Sequence, residues 1–220
     1  MKLSVVRHGE TDWNIQHRMM GQLDIGLNAN GIAQAAAVAA RLAGKHYDVI
    51  VSSDLQRAVD TARAIANEHR KAAFVTDARF RERNIGIFQG LTRTQTAAMY
   101  PELIKEVQED PWNAKIPEAE TRMEMAARVR EGLLDLRRQY GGQSVLLVTH
   151  GGVFQRLTEY LNEIGCACEL GRQFPNTCVF VLDFGSGGGG GESDVPVILE
   201  DCDASHLDGA KTADSGHFQI

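Results

Sequence analysis

The chain has 220 residues, 43% of them apolar and 24% charged, which suits one large soluble α/β domain with room for a sizeable core. A net charge of −6 argues against nucleic acid as a partner, because phosphate backbones are met by a basic face. No apolar run reaches transmembrane length, so no membrane partner is expected, and the first residues lead into a strand without a leader pattern. Cys166, Cys168, Cys178 and Cys202 lack zinc spacing. The expectation is a cytoplasmic protein with reduced thiols, with a metal site from Cys166, Cys168 and a distant histidine as the alternative.

Leu3, Val5 and Val6 form a strand-like apolar run that stops at Arg7-His8-Gly9. Ligands in α/β sheets bind beyond the carboxyl ends of strands. A turn at Gly9 would let Arg7 and His8 face one ligand. A guanidinium suits phosphate oxygens, and a neutral imidazole is a nucleophile near pH 7. A surface Arg-His pair is the plain alternative. After a polar stretch over 15–30, Asn30-Gly31 opens an Ala-rich helix running to about Leu42, with Gly44 expected as its C-cap. Asp48 to Ser52 reads as a second strand of buried type. Ser53 or Asp54 should cap a helix from Leu55 to about His69. Arg57 then falls in that helix's first turn, where a cation is mildly unfavourable for the helix and an anionic ligand explains it better. A surface arginine is the alternative.

Phe74 to Thr76 is a short third strand. Residues 79–92 read as a charged loop, in which Glu82 stands among Arg79, Arg81 and Arg83. It is either part of a solvated cluster or a proton donor facing a site. Short helical pieces follow near Thr94 to Tyr100 and Glu102 to Glu109, then a Pro-containing connection from Pro111 to Ala119. Thr121 and Glu124 make a capping box for a long helix to about Tyr140, with Met125, Val129, Leu133 and Leu136 as its core stripe and Gly141-Gly142 ending it. Ser144 to Thr149 is a buried strand, followed at once by His150-Gly151-Gly152 and a helix from Val153 to about Ile164. Strands alternating with helices imply parallel βαβ units, so Arg7-His8-Gly9 and Thr149-His150-Gly151 should end on one sheet edge.

Cys178 to Phe184 is another strand. The five glycines Gly187 to Gly191 read as a hairpin loop and not a linker, because Val195 to Leu199 is again strand-like and Pro196 confines it to an edge. Residues 208–220 are polar and expected to be a disordered tail beyond a single domain of residues 1–207.

The blocks V-V-R-H-G-E-T-D-W-N, S-S-D-L-Q-R-A, R-E-R-N-I-G-I-F-Q-G-L-T and V-T-H-G-G, with P-N-T-C-V and A-S-H-L near the end, jointly resemble the histidine phosphatase superfamily, the phosphoglycerate-mutase-like proteins. The resemblance spans about residues 1–207. It implies a three-layer α/β/α sandwich on a mostly parallel sheet, and no metal or other cofactor. By match, His8 takes the phosphoryl group, Glu82 is the acid/base residue, and Arg7, Arg57 and His150 complete the catalytic set. The expected substrate contacts are Arg7, Thr11, Asn14, Gly21, Gln22, Arg57, His150 and Gly151.

The function so implied is hydrolysis of the phosphate monoester of a small molecule through a phosphohistidine. The alternatives are a phosphoglycerate mutase and a catalytically inactive phosphate-binding module. The interval from Glu82 to His150 is shorter than the insert-bearing interval of the cofactor-dependent glycolytic mutases, and Met20 stands where those enzymes carry a hydroxyl residue. Residues 91–120 also set Arg93, Lys105 and Lys115 against six acidic residues, a poor cover for a doubly phosphorylated acid. These features favour the phosphatase. The alcohol half of the substrate and the oligomeric state are left open.

Overall fold

The computed structural model describes residues 1–185 and 195–207. Its strands are β1 (Lys2–Arg7), β2 (Val49–Ser52), β3 (Ala73–Thr76), β4 (Ser144–Thr149), β5 (Val179–Asp183) and β6 (Val197–Asp203). They form one sheet in the order β3-β2-β4-β1-β5-β6. β3, β2, β4 and β1 run parallel, while β5 and β6 each run antiparallel to the preceding neighbour. β1, β2 and β4 are near-continuous apolar runs because both their faces are covered.

The helices are α1 (Asp12–Ile15), α2 (Ala29–Leu42), α3 (Gln56–Glu68), α4 (Arg93–Met99), α5 (Pro101–Glu109), α6 (Arg122–Gln139) and α7 (Gly151–Glu163). Side chains alternate across a strand. Leu3, Val5, Val51 and Leu147 therefore meet Met125, Val129 and Leu133 of α6 and Phe154 and Leu157 of α7. Val6, Ile50, Leu146 and Val148 meet Val38 and Leu42 of α2 and Ala58, Ala62 and Ile65 of α3. The result is the expected α/β/α sandwich. A third, smaller cluster around Met19, Phe88, Val107 and Ile116 seats α5 and the loops beside it as a cover.

Several local expectations shift, each for a physical reason. α2 opens at Ala29 because Asn28 is its N-cap, with Oδ1 accepting the Gly31 N–H at 2.8 Å; the Asn30 amide donates to Glu10 instead. Ala43, not Gly44, is its C-cap. α3 has Leu55 at the N-cap position and no cap of its own. Asp24, distant in sequence, accepts the Gln56 N–H at 2.7 Å, which frees Asp54 to pair with Arg81 and Ser53 to meet His150. α7 begins at Gly151, directly after β4. The stretch expected as a loop over 79–92 carries two 3₁₀ turns, Ala78–Phe80 at its start and Gly86–Phe88 inside it.

β6 starts at Val197, two residues later than expected, and lies at the sheet edge that Pro196 requires. It pairs with β5, Leu182 opposite Ile198 and Asp183 opposite Val197. The glycines Gly187 to Gly191 and the tail 208–220 lie outside the described residues.

Gly9 has a different use from the one expected. A Cβ at Gly9 would lie 2.5 Å from the Gly31 carbonyl oxygen, and one at Gly31 would lie 2.0 Å from the Glu10 carbonyl oxygen. The loop after β1 is thus seated on the start of α2 by direct backbone contact. Gly31→Ala should lower the unfolding free energy by about 1–3 kcal/mol, the usual cost of overpacking. Urea denaturation checks this, and an unchanged midpoint would contradict the close seating.

Candidate active site

The carboxyl ends of β1 and β4 lie side by side, with Arg7 opposite Thr149. The next residue of each strand is a histidine. The two rings sit 5.1 Å apart between centroids, tilted by 56°. The His8 backbone is held from two sides: its N–H donates to the Thr149 carbonyl at 2.9 Å, and Asn176 Nδ2 donates to its carbonyl at 2.9 Å. Thr61 accepts the Gly9 N–H at 3.0 Å.

His8 Nδ1 lies 2.7 Å from the Gly9 carbonyl oxygen. A carbonyl only accepts, so Nδ1 carries the proton and the Nε2 lone pair is available. Burial, then the Arg57 and Arg7 guanidiniums, hold His8 well below the ordinary imidazole range, so it is neutral at pH 7. His150 is fully buried and held low by burial, then by Arg57, His8 and Arg7. Its Nε2 is 2.8 Å from Ser53 Oγ. Ser53 accepts the Leu55 N–H at 3.4 Å, and His150 is the one acceptor among the described residues for its own proton. The His150 proton is thereby assigned to Nδ1, a buried donor with no partner among the described residues.

Two buried guanidiniums flank this pair. Arg7 donates to the Phe174 carbonyl. Arg57, in the first turn of α3 as expected, donates to the carbonyls of Gly21 at 2.8 Å and Leu23 at 3.0 Å. Burial lowers Arg57 to about 10, which leaves it charged at pH 7. Among the described residues no carboxylate pairs with Arg57.

Glu82 is aimed inward. Its carboxylate accepts the Arg83 N–H at 2.7 Å and the Gly152 N–H at 3.0 Å. The flanking cations are occupied elsewhere: Arg79 pairs with Asp77 and Asp135, and Arg81 with Asp54. The charged run is therefore a brace for Glu82 and not a solvated cluster. Arg128 of α6 clamps the same segment, donating to the carbonyls of Arg79, Arg81 and Glu82 at 2.7, 2.8 and 3.1 Å. A Cβ at Gly152 would fall 2.1 Å from Glu82 Oε1, so only glycine admits the carboxylate there.

A cavity of about 360 Å³, the size of a small-molecule site, opens over these groups. Arg7, His8, Asn14, Gly21, Arg57, Glu82 and Gly151 line it. Thr11, Gln22 and His150 do not. Thr11 is enclosed, and forms a capping box with Asn14 that fixes the asparagine. The Gln22 amide donates to the Glu82 carbonyl at 3.0 Å and so supports that loop. His150 lies behind the wall, against His8. Ser53, Arg128 and Gly152 were missed as contributors. Gly152 follows His150-Gly151 and was legible as part of that turn, whereas nothing local marks Arg128.

Both histidines refuse, in the folded protein, a proton that the unfolded chain takes up below about pH 6.5. Their contribution to stability is therefore full above that pH and is lost as pH falls, at up to about 1.4 kcal/mol per pH unit for each. Unfolding free energy measured from pH 7.5 to 5 should drop, and His150→Asn should make the drop shallower. An identical pH dependence in the variant would contradict the burial of a neutral His150.

The family model described as "Histidine phosphatase superfamily (branch 1)" matches residues 3–192. Among curated relatives, phosphoglycerate mutase-like protein 4 of Arabidopsis thaliana is 36% identical over 72% of this chain and 70% of its own length. Glucosyl-3-phosphoglycerate phosphatase of Mycobacterium tuberculosis strain H37Rv is 37% identical over 76% of this chain and 77% of its own. Among solved structures, phosphoserine phosphatase of Entamoeba histolytica in complex with 3-phosphoglyceric acid superposes with a TM-score of 0.77 at 26% identity, covering 94% of this chain and 98% of that one. No helix among the described residues is long and apolar enough to cross a membrane. With two histidines at adjacent strand ends, two buried arginines and an inward glutamate beneath one cavity, this chain belongs to the histidine phosphatase superfamily, branch 1.

Proposed function

We propose that this protein is a phosphomonoesterase that works through a phosphohistidine on His8, with a phosphorylated small molecule as substrate and the cytoplasm as its compartment. The observation that carries the reading is the free Nε2 lone pair of a neutral, buried imidazole between two guanidiniums. Four free cysteines support a reducing compartment.

In the first step His8 Nε2 attacks phosphorus and the bond from phosphorus to the alcohol oxygen breaks. Protonated Glu82 gives its proton to that departing oxygen. Arg7, Arg57 and Asn14 in the cavity wall, with the Nδ1–H of His150 acting from behind it, offset charge on the phosphoryl oxygens. In the second step water attacks phosphorus, Glu82 takes the water's proton, and the phosphorus–nitrogen bond returns its electron pair to Nε2. Inorganic phosphate leaves and Glu82 is protonated again. The carboxylate pose held by the Arg83 and Gly152 N–H groups suits the second step. The mutase alternative gains nothing specific, and Met20, an apolar side chain in the cavity wall, favours hydrolysis.

His8→Ala should abolish turnover of every phosphate monoester, by 1,000-fold or more, on the order expected when a nucleophile is removed. Glu82→Gln should separate leaving groups. An alkoxide needs the proton and p-nitrophenolate does not, so alkyl phosphates should lose about 100-fold or more and phosphorylation by p-nitrophenyl phosphate about tenfold or less. Single-turnover rates decide this: native-like activity in His8→Ala would end the reading, and equal losses in Glu82→Gln would leave Glu82 as a positioning residue.

A further inference from the structure

The blocks P-N-T-C-V and A-S-H-L have no part in the steps above, yet the fold brings them together behind the site. The Cys178 N–H donates to the Pro175 carbonyl at 3.1 Å and closes a turn. This turn and Phe174 before it embrace the end of β1. The Phe174 carbonyl accepts from Arg7 Nη1, the Thr177 N–H donates to the Arg7 carbonyl at 3.1 Å, and Asn176 donates to the His8 carbonyl. Phe174 and Arg7 line the cavity, whereas Asn176 and Thr177 are buried behind it.

Thr177 occupies the third position of the turn with φ +55°. Glycine or asparagine takes that position readily, and a β-branched residue there is an outlier. What threonine adds over glycine is a hydroxyl that can hold a partner. Its Oγ1 lies 3.1 Å from Nε2 of His206, in the 3₁₀ turn Ser205–Leu207. On the other side of the same ring, Nδ1 lies 3.0 Å from Arg41 Nη1. A guanidinium only donates, so Nδ1 accepts and the ring proton sits on Nε2, which donates to Thr177 Oγ1. Arg41 is fixed in turn by the Asp203 carbonyl at 3.0 Å, the Asp203 carboxylate at 2.6 Å and Glu200. Burial, then Arg41, lower His206, with Asp203 acting the other way, and the ring is neutral at pH 7.

A residue held in a sparsely populated conformation persists when its surroundings over-determine it, and such residues gather at functional sites. Here the surroundings are the His206 bond on one side and the end of β1 on the other. A turn that relaxed about Thr177 would move the Phe174 carbonyl, and with it the group that orients the Arg7 guanidinium.

We propose that Thr177 and His206 are positioning residues for Arg7: their hydrogen bond keeps the turn in the form that aims the guanidinium at the phosphoryl group. This rests on the phosphatase reading above. Neither side chain reaches the cavity wall, so both act through Arg7.

The test reads kcat/KM for p-nitrophenyl phosphate in two pairs of variants. Thr177→Val keeps the branched shape and loses the hydroxyl, and His206→Phe keeps a ring and loses both bonds. Each should fall about tenfold, the scale of one net hydrogen bond. Thr177→Ser keeps the hydroxyl and His206→Gln keeps a donor to it, and each should stay within about threefold of the native protein. A double-mutant cycle then ties the effect to Arg7. Beside Arg7→Lys, which lacks the guanidinium that Phe174 holds, Thr177→Val should cost less than about twofold more, whereas independent effects would multiply.

Native-like rates in Thr177→Val and His206→Phe, equal losses within either pair, or the full tenfold loss persisting beside Arg7→Lys would overturn the proposal. If one pair does not fold the other decides, and if Arg7→Lys is too slow to follow the pairs decide alone. Any of these results with His8-dependent turnover intact leaves the phosphatase reading in place. Loss of that His8 dependence overturns both.

Discussion

A neutral imidazole has one lone pair to give, and the bond made by its other nitrogen decides where that pair sits. Here the Gly9 carbonyl, 2.7 Å from His8 Nδ1, accepts the Nδ1–H and leaves Nε2 as the reactive atom. Much of the surrounding structure keeps that carbonyl where it is. Thr61 holds the Gly9 N–H, Asn176 holds the His8 carbonyl, and the Gly31 backbone packs too closely for any side chain to intrude. The central sheet enters the argument through one bond, from His8 N–H to the Thr149 carbonyl, which joins β1 to β4 just where both strands deliver their histidines.

Burying cations is expensive, and the site meets that cost with carbonyl oxygens. Arg57 and Arg7 donate to main-chain carbonyls of Gly21, Leu23 and Phe174. A carbonyl steadies a guanidinium without neutralising it, so the positive field stays directed at the space above His8. Burial first, and that field after it, keep both imidazoles unprotonated. Glu82 is mounted differently, on two backbone N–H groups and on a loop clamped by Arg128. Its position is tied to the N-terminus of α7, where a side chain in place of Gly152 would push the carboxylate out of this pose.

The parts of this arrangement that were legible in the sequence are those set by local chemistry. β4 is a run of buried aliphatics and was bounded correctly, and the Thr121-Glu124 capping box marked the start of α6. What was misread depends on distant partners. α3 is capped by Asp24, and no pattern near residue 56 could say so. β6 carries Glu200, Asp201 and Asp203, which look unlike a strand until Arg41 and Arg172 neutralise them from other elements. Thr11 matched a pocket position but serves Asn14 as a cap. The cover over the site was judged by net charge, yet only side chains facing the cavity act on a ligand there, and of residues 91–120 those are Thr92, Arg93, Thr94 and Ile116, with Arg93 the one charged group among them.

The central claim is that Nε2 of His8, and not Nδ1, carries the phosphoryl group. Native protein denatured with alkaline detergent during turnover of a phosphate monoester, and kept at alkaline pH, reports this directly by phosphorus NMR and peptide mass spectrometry, since the two phosphohistidine isomers are distinguishable. A phosphate on the Nε2 atom of His8, absent from His8→Ala, is the predicted result. Phosphate on Nδ1, on His150, or on no residue at all would contradict the account.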